Sequence, residues 1–398
     1  MPFLLYAAVR FLQADVRLDA ERSFLLFLTP FLVGVHVLFG LDRERRRSLY
    51  VLIMADLFLL GVYGLVNHAL TGSRVVLWAN GRPGYYLANR ASGSYFCPDH
   101  FAGILEIALA MSLGFALSSR VRSSQRGPAL ALGAVAVAGV VLSKSRGGGL
   151  TVLVVMFAAL FWGFADWPED KRWWNRLSGL TALAIVMLIF AHSNHPYMQR
   201  FRGYLAPDSE KDRPVAETVS VLMEKARHTS RGKMFSGALR AWKTEKTFGI
   251  GPGMHRNLWP RFAASPDGDR EGGLWPSMLN NHFHSYEVHS DWIQLLEEYG
   301  LVGLILLLIP FVALCGVLLR GLHRQSRVRV SRRHRFPADD RTALILGGFL
   351  ALTAMSFHSL GDFNLQMPAT TWMLAAVVSI ALSAAFEAQP VRARRQAR

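Results

Sequence analysis

Apolar residues along this chain fall into blocks of about twenty, separated by short polar connections that are rich in arginine. A block of that length is what an α-helix needs to cross a bilayer. We therefore predict an all-α integral membrane protein with about nine spans, several of them near the short limit. The predicted spans are residues 23–41, 49–67, 102–118, 128–143, 149–165, 177–192, 300–319, 342–359 and 369–386.

The spacing of these blocks divides the chain into three parts. Residues 1–192 form an N-terminal transmembrane half, and residues 193–299 form a large extracytoplasmic loop. Residues 300–398 hold the last transmembrane helices and a basic cytoplasmic tail. The loop has nearly balanced charge and a helical pattern around residues 216–246, so we expect a small, partly helical cap.

A formal net charge of +16 could indicate nucleic-acid binding, but the arginines lie in the short connections between spans. That distribution follows the positive-inside rule and places those connections in the cytoplasm, where a basic tail also suits anionic membrane lipids. We therefore expect no nucleic-acid partner. The two cysteines, Cys97 and Cys315, are predicted to lie in an outer loop and inside a span, so no disulfide is expected. The segments predicted on the opposite, extracytoplasmic side of the membrane are residues 68–101, 144–148, 193–299 and 360–368.

Residues 280–308 combine three histidines and several acids with the start of an apolar span. His289, Trp292, Leu296 and Gly300 recur at helical spacing, so His289 is expected near the start of a helix, on its packed face. Gly300 predicts a stop or kink before the span. A histidine placed where a polar segment meets the membrane can accept a proton from a hydroxyl. A helix-capping segment with ordinary surface histidines fits the same pattern.

A cationic turn with the sequence SKSRGGG joins two predicted spans at residues 143–149. A guanidinium at the outer end of a helix pair, such as that of Arg146, can bind a phosphate group bidentately. The following glycines would let a bulky ligand approach the backbone. The alternative is a loop arginine that extends to the membrane interface.

Two further polar patterns lie on the same predicted side. Arg231 and Arg240 lead into the glycine-rich turn at residues 249–253, which resembles a phosphate loop only weakly because it lacks the Lys-Ser/Thr pair. Residues 361–368 form a polar turn between the last two spans, and a simple helix-breaking connection would look the same.

In order and sidedness, these patterns together resemble the bacterial O-antigen ligase and polymerase superfamily of membrane glycosyltransferases. The resemblance covers roughly residues 89–386, and each motif alone would be weak. The family usually carries more helices at the front, so we expect this chain to be two or three helices shorter. The matching segments are NRASGSYFCPDHFAG at residues 89–103, SRG at 145–147, GIGPG at 249–253, HSDWIQLLEEYGLVG at 289–303 and DFNLQMP at 362–368.

The resemblance implies transfer of a glycan from an undecaprenyl-diphosphate carrier to an acceptor hydroxyl. The expected location is the bacterial inner membrane, with the active site on the periplasmic side. The acceptor would be the lipid A core or another surface glycan, and chain polymerisation within the same superfamily is an alternative. No cofactor is implied.

The same resemblance gives roles to individual residues. His289 would be the general base, Arg146 and Arg231 would bind the diphosphate, and Arg240 is a second candidate for that contact. Attack opposite the diphosphate would invert the anomeric configuration without a metal. The expected supporting residues are Ser145, Gly147, Gly251, Gly253, Asp291 and Asp362.

Two alternatives belong to other classes. A zinc site could draw on His282, His284 and His289 with Glu287 or Asp291, although their spacing matches no standard zinc pattern. A flippase for a lipid-linked sugar is suggested by two acids inside predicted spans. Those acids are Asp56 and Glu106. A transporter is expected to gather polar groups near the bilayer midplane, whereas here they collect in the outer segments, which favours an enzyme.

Overall fold

The protein is a bundle of α-helices. The computed structural model describes residues 2–71, 89–192, 229–263, 284–326 and 339–387, and no strand occurs in those ranges. A π-helical turn, His36–Gly40, extends the second helix, and a 3₁₀ turn, Asn364–Gln366, precedes the last one. The helices are α1 (Pro2–Leu12), α2 (Arg17–Val35), α3 (Arg43–Thr71), α4 (Pro98–Leu117), α5 (Ser123–Ser143), α6 (Arg146–Trp162), α7 (Glu169–His192), α8 (Ser230–Thr244), α9 (His255–Phe262), α10 (Asp291–Ser326), α11 (Arg341–His358) and α12 (Pro368–Phe386).

Seven of the described helices are long and apolar enough to cross a membrane, namely α2 with its extension, α3, α4, α5, α10, α11 and α12. Each of the nine predicted spans overlaps one helix, with α6 and α7 holding the other two. This confirms the prediction of an all-helical membrane bundle. Of the helical stretch predicted around residues 216–246, α8 covers the second half, and residues 216–228 lie outside the described ranges.

Helix α4 is the centre of the bundle, because almost all of its side chains are buried, whereas most spanning helices are apolar and exposed on one face. It packs against α5 and α11, and small residues permit the close approach. A Cβ atom at Gly114 would overlap the carbonyl oxygen of Ala343 on α11. The backbones of the two helices therefore meet directly, which fixes the position of the polar residues at their ends.

Ion pairs of the arginine-rich start of α3 identify one end of the bundle. Arg47 lies 2.7 Å from Asp340, and Arg43 lies 3.4 Å from Glu387, so the arginine-rich start of α3 shares an end with the start of α11 and the end of α12. The opposite end holds the start of α4, the α5–α6 turn and the α11–α12 turn. The predicted polar motifs are therefore gathered at the end opposite these arginines.

The N-terminal helices α1 and α2 pack against the start of α10. Phe3 and Phe27 contact the ring of Tyr299, with centroid distances of 5.7 Å and 5.6 Å. At Gly300 the backbone leaves helical geometry with φ of +66°, which a residue with a side chain rarely adopts. The predicted stop or kink at Gly300 is thus a kink, and it separates the polar first turns of α10 from its apolar span.

Candidate functional site

A buried carboxylate on the α11–α12 turn is the meeting point of two predicted site residues. Asp362 is 1% exposed, and its Oδ2 accepts a hydrogen bond from Arg231 NH2 at 3.2 Å. Arg231 also donates to the carbonyl oxygen of Gly361 at 2.6 Å. On the other side, His289 Nδ1 lies 3.5 Å from Asp362 Oδ1. Arg231 and His289 are thus held to one carboxylate although 57 positions separate them in the sequence.

Two more imidazoles surround the same carboxylate. His100 Nε2 lies 3.9 Å from Asp362 Oδ1, and His358 Nε2 lies 4.0 Å from Oδ2. The other ring nitrogen of His358, Nδ1, lies 2.8 Å from Glu106 Oε1, and both side chains are buried. Glu106, which as an acid inside a span suggested a transporter, is therefore paired with a histidine of this site.

The electrostatics of Asp362 follow from these neighbours. Burial would raise the pKa of its carboxyl, but the Arg231 guanidinium, the His289 contact and the His358 and His100 rings hold that pKa well below its ordinary value. Burial alone would likewise lower the pKa of Arg231, and Asp362 and Asp99 raise it. Asp362 is therefore ionised at neutral pH and stabilises positive charge on the groups around it.

His289 occupies an unusual backbone position two residues before α10. Its φ is +61°, a left-handed conformation that is uncommon for a residue with a side chain. The backbone N–H of Val288 donates to Gln294 Oε1 at 3.1 Å, and the ring packs edge-on against Phe363 with centroids 4.5 Å apart. The side chain is 28% exposed while Nδ1 is buried, so the ring presents Nδ1 to Asp362 and another part of its edge to solvent.

Asp291 joins the start of α10 to the α11–α12 turn. Its Oδ2 accepts from Ser359 Oγ at 2.7 Å and from the Leu365 N–H at 3.0 Å, and Gln366 reaches Oδ1 at 3.4 Å. The Asp291 N–H donates to the carbonyl oxygen of Ser359 at 3.0 Å. These bonds fix the turn that carries Asp362 relative to the segment that carries His289.

The SRG turn lies beside this cluster. Ser145 is buried and caps α6, since its Oγ accepts from the Gly148 N–H at 3.1 Å. A Cβ atom at Gly147 would lie 3.0 Å from His358 Nε2, so the first turn of α6 passes directly against that ring. Arg146, the first residue of α6, is half-buried between these two contacts.

A second acid and arginine complete the cluster at the start of α4. Arg90 NH2 lies 2.8 Å from Asp99 Oδ1, and Arg231 NH2 lies 3.7 Å from Asp99 Oδ2. Arg90 Nε also donates to the carbonyl oxygen of Ser143 at 2.6 Å, which ties the segment before α4 to the SRG turn. The sequence patterns predicted no individual role for Arg90, Asp99, His100 or His358. Arg90, Asp99 and His100 lie within residues 89–103, which the family resemblance did flag.

The glycine-rich turn and Arg240 lie away from Asp362. Arg240 NH2 donates to the carbonyl oxygens of Phe262 and Ala263, at 2.7 Å and 3.1 Å. The N–H of Gly251 donates to the Glu298 carbonyl oxygen at 3.1 Å, and the N–H of Gly253 donates to Glu298 Oε2 at 2.8 Å. This turn thus packs against the start of α10, and Arg10 NH2 of α1 also donates to the Gly249 carbonyl oxygen at 2.9 Å.

The residues of the zinc alternative have other contacts. Glu287 pairs with Arg256 at 2.7 Å, His284 packs its ring against Tyr286, and His282 lies outside the described residues. Within the described ranges, no group of three or more His, Cys, Asp or Glu side chains is arranged to hold a metal ion.

An apolar cavity of about 360 Å³ opens next to the polar cluster. Residues of α2, α10, α11 and α12 line it, and Asp291 and Gln366 form its polar edge. Those two side chains hydrogen-bond to each other, and Asp291 holds the turn of Asp362. The cavity therefore adjoins the site through Asp291, which is hydrogen-bonded to the turn of Asp362.

Comparison with known proteins agrees with the motifs. Residues 129–308 match the family model of the O-antigen ligase, and this supports the placement in the O-antigen ligase and polymerase superfamily. The matched segment contains Arg146, Arg231 and His289, and it ends before Asp362. A search of the curated proteins finds no match to the chain.

Proposed function

Because residues 129–308 match the family model of the O-antigen ligase, we propose that the chain transfers a glycan from an undecaprenyl-diphosphate carrier to an acceptor hydroxyl. The acceptor is the lipid A core or another surface glycan, and the reaction takes place on the periplasmic face of the bacterial inner membrane. The arginine-rich connections at the opposite end of the bundle support this orientation, since such segments stay in the cytoplasm.

One observation carries the proposal: a half-buried histidine and an arginine share one buried, ionised carboxylate. In the proposed reaction, His289 removes the proton of the acceptor hydroxyl through the edge of the ring that does not face Asp362. Positive charge then develops on the imidazole, and Asp362 at 3.5 Å stabilises it. The carboxylate also orients the ring, as the third group of a catalytic triad orients the base.

Arg231 binds the diphosphate of the donor in this proposal. Its side chain is 37% exposed although one face is fixed to Asp362 and Gly361, so the guanidinium has a fixed position and an open edge. A planar guanidinium held in this way binds phosphate oxygens bidentately and stabilises the charge of the leaving group. Arg146 supplies the second contact from the start of α6, where the helix N-terminus adds favourable dipoles. Arg240 stays a reserve candidate, with its carbonyl contacts arguing for a structural role.

Acceptor attack from the side opposite the diphosphate inverts the anomeric carbon, and no metal or cofactor takes part in the proposed step. The carrier's isoprenoid chain occupies the apolar cavity next to Asp291, and the diphosphate extends beyond the cavity to Arg231 and Arg146. Sideways entry between helices suits a lipid-linked donor, because its chain never leaves the bilayer.

A reconstituted system tests this proposal. Purified protein in liposomes receives a carrier-linked glycan as donor, with and without a lipid A core acceptor. The products are resolved by mass, and their anomeric configuration is determined by NMR. We expect one glycan to move to the acceptor, with inverted configuration. Growth of the donor glycan without a lipid acceptor would identify a polymerase, and movement of donor across the bilayer without glycan transfer would identify a flippase and refute the proposal.

A further inference from the structure

A second buried cluster, about the imidazole of His255, lies behind the segment that carries His289. His255 is the first residue of α9 and is 1% exposed. Its Nδ1 lies 2.9 Å from Glu297 Oε2 on α10, and its Nε2 lies 3.1 Å from the hydroxyl oxygen of Ser285. That hydroxyl donates to the carbonyl oxygen of Glu287 at 2.9 Å.

The geometry determines the protonation of this imidazole. A serine hydroxyl has one proton, and Ser285 uses it toward the Glu287 carbonyl, so it accepts from His255 Nε2–H. The carboxylate of Glu297 is an acceptor as well, so Nδ1 also carries a proton. These contacts assign a donor role to both ring nitrogens, which corresponds to the imidazolium form of His255.

The surrounding charges favour the same state. Burial would lower the pKa of His255, but the hydrogen bond and charge of Glu297, with the charges of Glu298 and Glu287, raise it. Arg256, which pairs with Glu287 and Asp19, and Arg22, which also reaches Glu287, are the nearby cations. Burial raises the pKa of Glu298 itself to about 7, so Glu297 and Glu287 are the main charges that loss of the proton from His255 would leave less compensated.

This network leads to the backbone of His289. Gln294 donates to Glu287 Oε2 at 2.7 Å and accepts from the N–H of Val288, the residue immediately before His289. Ser285 and Glu287 are four and two residues before it. The left-handed conformation of His289 is therefore held from one side by this cluster and from the other by the start of α10.

We infer that protonated His255 is a positioning residue, which fixes residues 285–288 through Ser285 and Glu287 and so keeps His289 against Asp362. This inference rests on the proposed role of His289 as the base. When His255 loses its proton at alkaline pH, one of its two donated bonds is lost and the segment loosens. A displacement of about 1 Å of a catalytic group costs on the order of a hundred-fold in rate. The pH profile of kcat therefore has an alkaline limb that belongs to His255.

The test measures kcat and donor KM against pH for the wild type, Glu297→Gln and Ser285→Ala. Glu297→Gln removes the charge that raises the pKa of His255, so the alkaline limb moves to lower pH by about one unit or more. Ser285→Ala removes the Nε2 acceptor, so kcat falls about ten-fold or more while donor KM changes little. The matched control is Glu245→Gln, an exposed carboxylate at the end of α8, which leaves the profile unchanged.

The outcomes separate this inference from the proposed function. An alkaline limb that stays in place in Glu297→Gln, together with an unchanged kcat in Ser285→Ala, overturns the role of His255 while leaving His289 as base. Full activity of His289→Ala overturns the proposed function instead. If Glu297→Gln fails to fold, as judged by gel filtration and thermal unfolding, the kcat and KM of Ser285→Ala decide the question.

Discussion

Substitution of Asp362 by asparagine removes one charge at the centre of the site and keeps the shape of the side chain. In the proposed mechanism, positive charge develops on His289 at 3.5 Å from this carboxylate. Two unit charges 3.5 Å apart interact by about 4.7 kcal/mol at an effective dielectric constant of about 20. Since each 1.36 kcal/mol is about ten-fold in rate, the full interaction corresponds to roughly 3,000-fold.

The expected loss is smaller than this bound for two structural reasons. Arg231 and His358 share the same carboxylate, and the proton is only partly transferred in the transition state. We expect kcat of Asp362→Asn to fall by about a hundred- to a thousand-fold. Donor KM should not rise, because Arg231 loses a competing carboxylate and keeps its bond to the Gly361 carbonyl.

The assay is single-turnover glycan transfer by purified protein in liposomes, with donor binding measured separately by titration. Circular dichroism and gel filtration establish that the variant is folded. A kcat within three-fold of the wild type, or a loss confined to donor KM, would show that Asp362 does not act on the base and would refute this reasoning.

The remaining predictions concern the arginine, the metal and acid stability. Arg146→Lys should lower transfer strongly without loss of insertion, because lysine keeps the charge but lacks the planar fork, and equal activity would indicate an orienting role. EDTA should leave wild-type transfer unchanged, whereas a loss restored by zinc would favour the metal alternative. The lowered pKa of Asp362 means that the folded state binds fewer protons than the unfolded state. Its stabilising contribution is present above the ordinary value of 3.8 and lost as pH falls through the folded pKa, so the unfolding temperature should drop more steeply below pH 4 in the wild type than in Asp362→Asn; parallel curves would contradict this.

Span positions and polar motifs could be read from the sequence because both follow local rules. Blocks of about twenty apolar residues predicted the helices, and helical spacing predicted the start of α10 and the break at Gly300. The same spacing placed His289 on the packed face of that helix, whereas His289 lies two residues before α10 in a left-handed conformation. The distribution of arginines then predicted that the motifs lie on one side of the membrane.

The pairings within the site could not be predicted in the same way. His358 and Glu106 lie inside helices α11 and α4, and only the close contact of those helices brings them together. Asp99 and Arg90 required the same tertiary information, and so did the contact of His255 with Glu297. A histidine or acid within an apolar span is visible in the sequence and indicates a functional position. It does not indicate which residue pairs with it.

The central claim is that His289 is the base of a glycan transfer reaction. The most direct measurement compares single-turnover transfer by the wild type, His289→Ala and His323→Ala, with donor binding measured in parallel. His323 is an exposed histidine in the last turn of α10, the helix that begins two residues after His289, and it serves as the matched control at the opposite end of the bundle. We predict that His289→Ala loses about a hundred- to ten-thousand-fold in rate and keeps donor binding, while His323→Ala behaves as the wild type. Transfer by His289→Ala at the wild-type rate would contradict the account.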